Sequence, residues 1–283
     1  MDAGTPKGGD GGCGSNGGSG WCVANASTAT ASSNLLCDDF DFGVLTSGTG
    51  FGGQGITSAD LVNTHYVSPY CSMTAYVNDG GTAAAPAAAF TSHTYEQALG
   101  PASATIAFDL WIPGGTACEG ASVAYFVAVP DDNADGAVEA WLNISDIVGS
   151  GAMATSYSVS LRGFAGAAPG GTGMGATPTN PVTVKVTPAS SDDGWARVEL
   201  DVTKYALNVS PTPSTGAAVV SWFTVSNPKA VATSAAISMS GMISSAGLGL
   251  VEADVGLLPD GVTGTTVSGC RIFVDNFVSN LIK

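Results

Sequence analysis

In 283 residues the chain carries 39 glycines, 23 acidic residues and only 8 basic ones, for a formal net charge of −15 at pH 7. Such a surface repels phosphate backbones and anionic membranes, which excludes nucleic acid as a partner and favours a neutral glycan or a divalent cation. No run of about 18 apolar residues occurs, so no transmembrane segment is expected. The length suits one large β domain whose core closes without a metal.

Residues 1–33 are rich in Gly and Ser and read as a flexible tether, with the domain spanning 34–283. The opening MDAGTPKGGDGGCGSNGGSG has no apolar h-region and reads as the segment that follows the signal of a secreted protein or bacterial lipoprotein. That places the domain outside the cell or tethered to its outer surface. The six cysteines (Cys13, Cys22, Cys37, Cys71, Cys118, Cys270) form no C-x-x-C pair and His is scarce, which disfavours zinc. An even count in this composition reads as three disulfides made in an oxidising compartment, with Cys13–Cys22 the expected pair in the tail.

From there period-2 alternation dominates, and each run reads as a strand. LLCDDFD (35–41) comes first, then SMTAYVN (72–78), with Met73, Ala75 and Val77 on one face. TIAFDLWI (105–112) sets Ile106, Phe108, Leu110 and Ile112 against Thr105, Ala107, Asp109 and Trp111. SVAYFVAV (122–129), AVEAWLNI (137–144), SYSVSLRGF (156–164) and PVTVKVTP (181–188) follow. WARVELDV (195–202), AVVSWFTV (218–225), AISMSGMI (236–243) and CRIFVDNFV (270–278) complete the set. So many short strands, with no amphipathic helix and no long repeat, predict an all-β, antiparallel two-sheet β-sandwich of the jelly-roll type.

The opening CDDFD, the WARVELDVT strand and the closing CRIFVDNFV resemble the concanavalin A-like lectin/glucanase jelly rolls, including laminin-G-like domains. The resemblance covers about 34–283. It implies two stacked sheets, paired first and last strands, ligands on a sheet face or at loop-built rims, and calcium in many members. The glucanase branch carries E-x-D-x-x-E on one strand, so that alternation aims three carboxylates at one side. Glu252-Ala253-Asp254 begins that pattern, but Leu257 stands at the last position; Glu199-Leu200-Asp201 begins it again, and Lys204 stands there. No catalytic residue is therefore assigned. The lyase branch needs clustered Arg, His, Gln and Tyr, and Arg162 with His93 does not make that set.

Two features point to ligands instead. PDDNADG (130–136) holds Asp131, Asn133 and Asp135 in the spacing of a calcium loop, although Leu142 occupies the position of the bidentate Glu. It is a calcium site or a hairpin tip in which Asx side chains bond their own backbone. In the strand that follows, Glu139, Trp141 and Asn143 point away from Val138, Ala140, Leu142 and Ile144. If neighbouring strands form one sheet, Asp109, Trp111, Glu139, Trp141, Asn143 and Arg162 gather on one polar face. Indole, amide, carboxylate and guanidinium groups together suit sugars, whose C–H faces stack on aromatics while their hydroxyls take hydrogen bonds. The alternative is that both Trp side chains are core. The expected function is thus non-catalytic carbohydrate binding or adhesion, supported by calcium. A polysaccharide-degrading enzyme and a self-associating structural subunit are the competing readings.

Overall fold

A computed structural model describes residues 22, 35–38, 40, 51–54, 61–62, 65–68, 71–76, 89–98, 101–130, 138–165, 179–206, 216–238, 248–258, 267 and 269–282. The strands in chain order are β1 (Leu35–Asp38), β2 (Phe51–Gln54), β3 (Leu61–Val62), β4 (Ser72–Tyr76), β5 (Ala89–Ala98), β6 (Pro101–Trp111), β7 (Ser122–Pro130) and β8 (Val138–Val148). They continue with β9 (Ser156–Ala165), β10 (Val182–Val186), β11 (Trp195–Ala206), β12 (Ala217–Phe223), β13 (Ala232–Thr233), β14 (Ile237–Ser238), β15 (Leu248–Leu258) and β16 (Arg271–Ile282). A 3-10 turn, Ser190–Asp192, precedes β11.

The strands form two sheets. Sheet one runs β13-β12-β11-β6-β16-β4-β3, with β14 on β12 and β1 on the C-terminal half of β16. Sheet two runs β10-β9-β8-β7-β15-β5-β2. Every pairing is antiparallel. The predicted two-sheet sandwich is what forms, and the first strand pairs with the last. β2, β3, β5, β13 and β15 were not among the predicted strands; of the run at 236–243, residues 239–243 lie outside the described residues and β14 forms at Ile237–Ser238.

Alternation explains the core. Ile106, Phe108 and Leu110 of sheet one and Val138, Ala140, Leu142 and Ile144 of sheet two are all fully buried in one cluster. Val251, Ala253, Val255 and Leu257 of β15 join it. Each branched or aromatic side chain so placed contributes about 2 kcal/mol of transfer free energy. Trp222 also belongs to this core.

Disulfides staple the ends. Cys118, between β6 and β7, bonds Cys270, the residue before β16, across 152 positions. Cys22 bonds Cys37 in β1, not Cys13 as expected, and Cys71 is also disulfide-bonded. The tail thus meets the domain ahead of residue 33, because a strand cysteine offers Cys22 a partner fixed by the sheet. The rest of the tether lies outside the described residues. Among the described residues, no helix is long and apolar enough to cross a membrane.

Replacing both Cys118 and Cys270 by Ala should cost about 4 kcal/mol, because a long closed loop is released in the unfolded chain. Urea unfolding of the oxidised proteins measures this; a loss under about 1 kcal/mol contradicts it.

Candidate functional site

The outward face of sheet two is organised in rows across the strands. Arg162 of β9 stands opposite Trp141 of β8, which stands opposite Tyr125 of β7, which stands opposite Asp254 of β15. One row over, Glu139 faces Val127, which faces Glu252. On the other side, Ser160 faces Asn143, which faces Ser122. Four of the six side chains expected to form a platform (Glu139, Trp141, Asn143 and Arg162) therefore share one surface.

Their contacts form a small network. The Tyr125 and Trp141 rings stack with centroids 3.9 Å apart and planes at 30°. Trp141 Nε1 donates to Glu139 Oε2 at 3.2 Å, and the Tyr125 hydroxyl donates to the same carboxylate. Asn143 Nδ2 donates to Ser122 Oγ at 2.7 Å. Trp141 and Asn143 are each 9% exposed, while Tyr125, Glu139, Arg162 and Glu252 are half-buried and are the groups a ligand meets first. Burial raises the Glu139 carboxyl above its ordinary range, and the two donors oppose that shift. Tyr125 is driven well above the usual phenol range, first by burial and then by the charges of Glu139, Asp254 and Glu252. Tyr125 thus stays protonated and remains a donor.

Asp109 and Trp111 do not join this face. β6 lies between β11 and β16, so both residues project from sheet one. Their alternation was read correctly; their sheet was not. Asp109 is 1% exposed; Arg197 Nη1 approaches its Oδ1 at 3.2 Å and Asn276 Nδ2 donates to its Oδ2 at 2.7 Å. Asp275 stands opposite Asp109 and accepts from the amides of Val67, Ser68 and Asn276 at 2.7, 3.0 and 2.8 Å. Burial raises both carboxyls. Trp111 packs with Trp195 and Phe273 in a second cluster, touches His65 edge-on, and donates Nε1 to the Asp193 carbonyl. These groups anchor the 65–68 segment over sheet one and present no open platform. Beside Trp195 a pocket of about 220 Å³ opens, lined also by Tyr66, Asp192 and Asp193. Asp131, Asn133 and Asp135 lie outside the described residues.

Tyr125, Glu252 and Asp254 were missed as members of the face. The signal was available: Glu252 and Asp254 alternate with Val251, Ala253 and Val255. Leu257, which stands where the glucanase pattern needs its second Glu, is buried in the core after a register shift between Val255 and Leu258. The other incomplete pattern lies on sheet one, where Glu199 and Asp201 are hydrogen-bonded to each other.

No family model matches the chain, and no curated protein matches it in sequence. Its fold is an all-β, antiparallel two-sheet β-sandwich. Solved structures of similar shape include the alginate lyase vAL-1 from Chlorella virus, at 12% identity and a TM-score of 0.47, covering 82% of this chain and 91% of that one. A prokaryotic β-1,3-1,4-glucanase (lichenase) derived from a mouse hindgut metagenome has 8% identity and a TM-score of 0.42, with 87% and 98% covered. A legume lectin-like domain from Entamoeba histolytica has 9% identity and a TM-score of 0.39, with 83% and 90% covered. Likenesses this distant assign neither activity nor ligand.

Burial and Asp201 lift the Glu199 carboxyl from an ordinary 4.5 to about 7. Between those values the folded chain holds a proton that the unfolded chain has released, so stability falls as pH rises through the window. Glu199→Gln should flatten that part of the profile and stabilise the fold at pH 8. Thermal melts from pH 4.5 to 8 test this; an unchanged slope in the variant refutes it.

Proposed function

We propose that the outward face of sheet two binds carbohydrate without cleaving it, and that the protein works outside the cell. What carries the reading is the stacked Tyr125–Trp141 pair, hydrogen-bonded to Glu139 and in register with Arg162. Aromatic rings take the C–H faces of a sugar, and flanking carboxylate, amide and guanidinium groups take its hydroxyls. Glu139, Trp141, Asn143 and Arg162 are the binding residues, joined by Tyr125. Asp109 and Trp111 are left out because their polar atoms are engaged within sheet one. Disulfides support an oxidising compartment. Calcium held by Asp131, Asn133 and Asp135 would fix the connection between β7 and β8, the strands that carry Tyr125 and Trp141.

One observation favours hydrolysis as a second reading. Glu139 and Glu252 share a row with only Val127 between them. Two strand spacings make about 9.6 Å between backbones, close to the carboxyl separation of inverting glycosidases. Glu139, its carboxyl raised by burial, would be the acid.

Affinity electrophoresis through soluble polysaccharides, with calcium and with chelator, tests the binding reading. A retained glycan should lose about tenfold in affinity with Trp141→Ala, while Trp111→Phe should bind normally. Loss in chelator supports the metal. Retention by no glycan, or retention insensitive to Trp141 and Tyr125 substitution in folded variants, overturns the proposal. Release of reducing ends from the retained glycan, abolished by Glu139→Gln, would establish the enzyme reading instead.

A further inference from the structure

The row across sheet two is electrically polarised. Arg162 stands at one end, and Asp254 stands at the other with Trp141 and Tyr125 between them. In the neighbouring row Glu139 stands on the Trp141 strand and Glu252 on the Asp254 strand, with Val127 between them. The charges of Glu139, Asp254 and Glu252 all act on the Tyr125 hydroxyl. Arg162 makes no ion pair among the described residues, and Lys185, a second cation on this face, stands opposite Ser158, four positions further along β9. Among the described residues the face therefore offers one guanidinium with no ion pair at one end, and three carboxylates spread over β8 and β15.

A glycan laid along the row meets these groups in succession, because successive strands lie about 4.8 Å apart, close to the repeat of a hexose chain. A polyuronate carries a carboxylate on every unit. Whichever unit satisfied Arg162, the next would set its charge against the half-buried Glu139 or Glu252 or the buried Asp254, where like charges repel strongly. A neutral backbone avoids that cost. A single acidic side group can still be used at the Arg162 end, where guanidinium binds carboxylate through two parallel hydrogen bonds.

We infer that the face selects a glycan with an uncharged backbone bearing sparse acidic side groups, the backbone lying over Tyr125 and Asp254 and one acid docking on Arg162. The inference rests on the carbohydrate reading and narrows it to a chemical class.

The test compares three probes by titration at low and at high salt: a neutral xylan, a glucuronoxylan with the same backbone and occasional acidic branches, and polyglucuronate. The expected order is glucuronoxylan about tenfold tighter than xylan, with polyglucuronate about a hundredfold weaker than either. Salt should shrink the first difference. Arg162→Gln should erase the preference for the branched polymer, so that xylan and glucuronoxylan bind alike, and Arg162→Lys should restore only part of it. Polyglucuronate bound as tightly as xylan, or xylan and glucuronoxylan bound equally by the unaltered protein, overturns the inference while leaving the carbohydrate reading intact. Failure of all three probes, and of any other glycan, removes the carbohydrate reading itself.

Discussion

The two last strands of the chain enter the middle of opposite sheets, and the rest of the structure depends on those backbone hydrogen bonds. β15 pairs with both β7 and β5, and β16 pairs with β6 on one side and with β4 and β1 on the other. Neither sheet is continuous until the chain is nearly complete. The Cys118–Cys270 bond sits where the chain passes from one sheet to the other. Such long-range closure makes folding slow, since loop entropy must be lost before the pairing repays it. It also builds the candidate face, because Asp254 meets Tyr125 only when β15 slots beside β7.

The two outward faces use similar side chains for different ends. Sheet one buries Asp109 and Asp275 side by side and meets them with Arg197, Asn276 and backbone amides. Asn276 adopts a left-handed φ of 50° beside a register shift, which turns its side chain onto Asp109. These are structural groups: every oxygen has a donor, and breaking one contact strands a buried charge. Sheet two leaves Arg162 without an ion pair among the described residues and holds Tyr125 and Glu139 half-buried. Raised carboxyls occur on both faces, so a perturbed titration alone does not mark a binding site. Exposure and spare hydrogen-bonding capacity separate the two.

The strands that escaped the sequence reading are informative. β5 is polar along most of its length, and its His93 stands opposite Ala253, on the core side, where burial lowers the imidazole pKa to about 4. A strand that sets His93 on the core side within a run of Thr, Ser, Glu and Gln lacks the contrast on which alternation depends. β15 has that contrast, but its glycines at 249 and 256 resemble loop punctuation. Missing β15 hid two of the three carboxylates around Tyr125.

The sequence by itself determined which side chains of each strand stand together. Trp141 with Glu139 and Asn143, Arg162 with Ser158 and Ser160, and Asp109 with Trp111 all follow from the pleat, a local property of an extended backbone. Only the tertiary structure decided which strands became neighbours. It joined Arg162, Trp141, Tyr125 and Asp254 into one row and carried Asp109 and Trp111 to the other sheet. The physical reason is that strands pair through backbone N–H and C=O groups common to nearly every residue. The choice of partner comes from the packing of the whole core, which no single strand encodes.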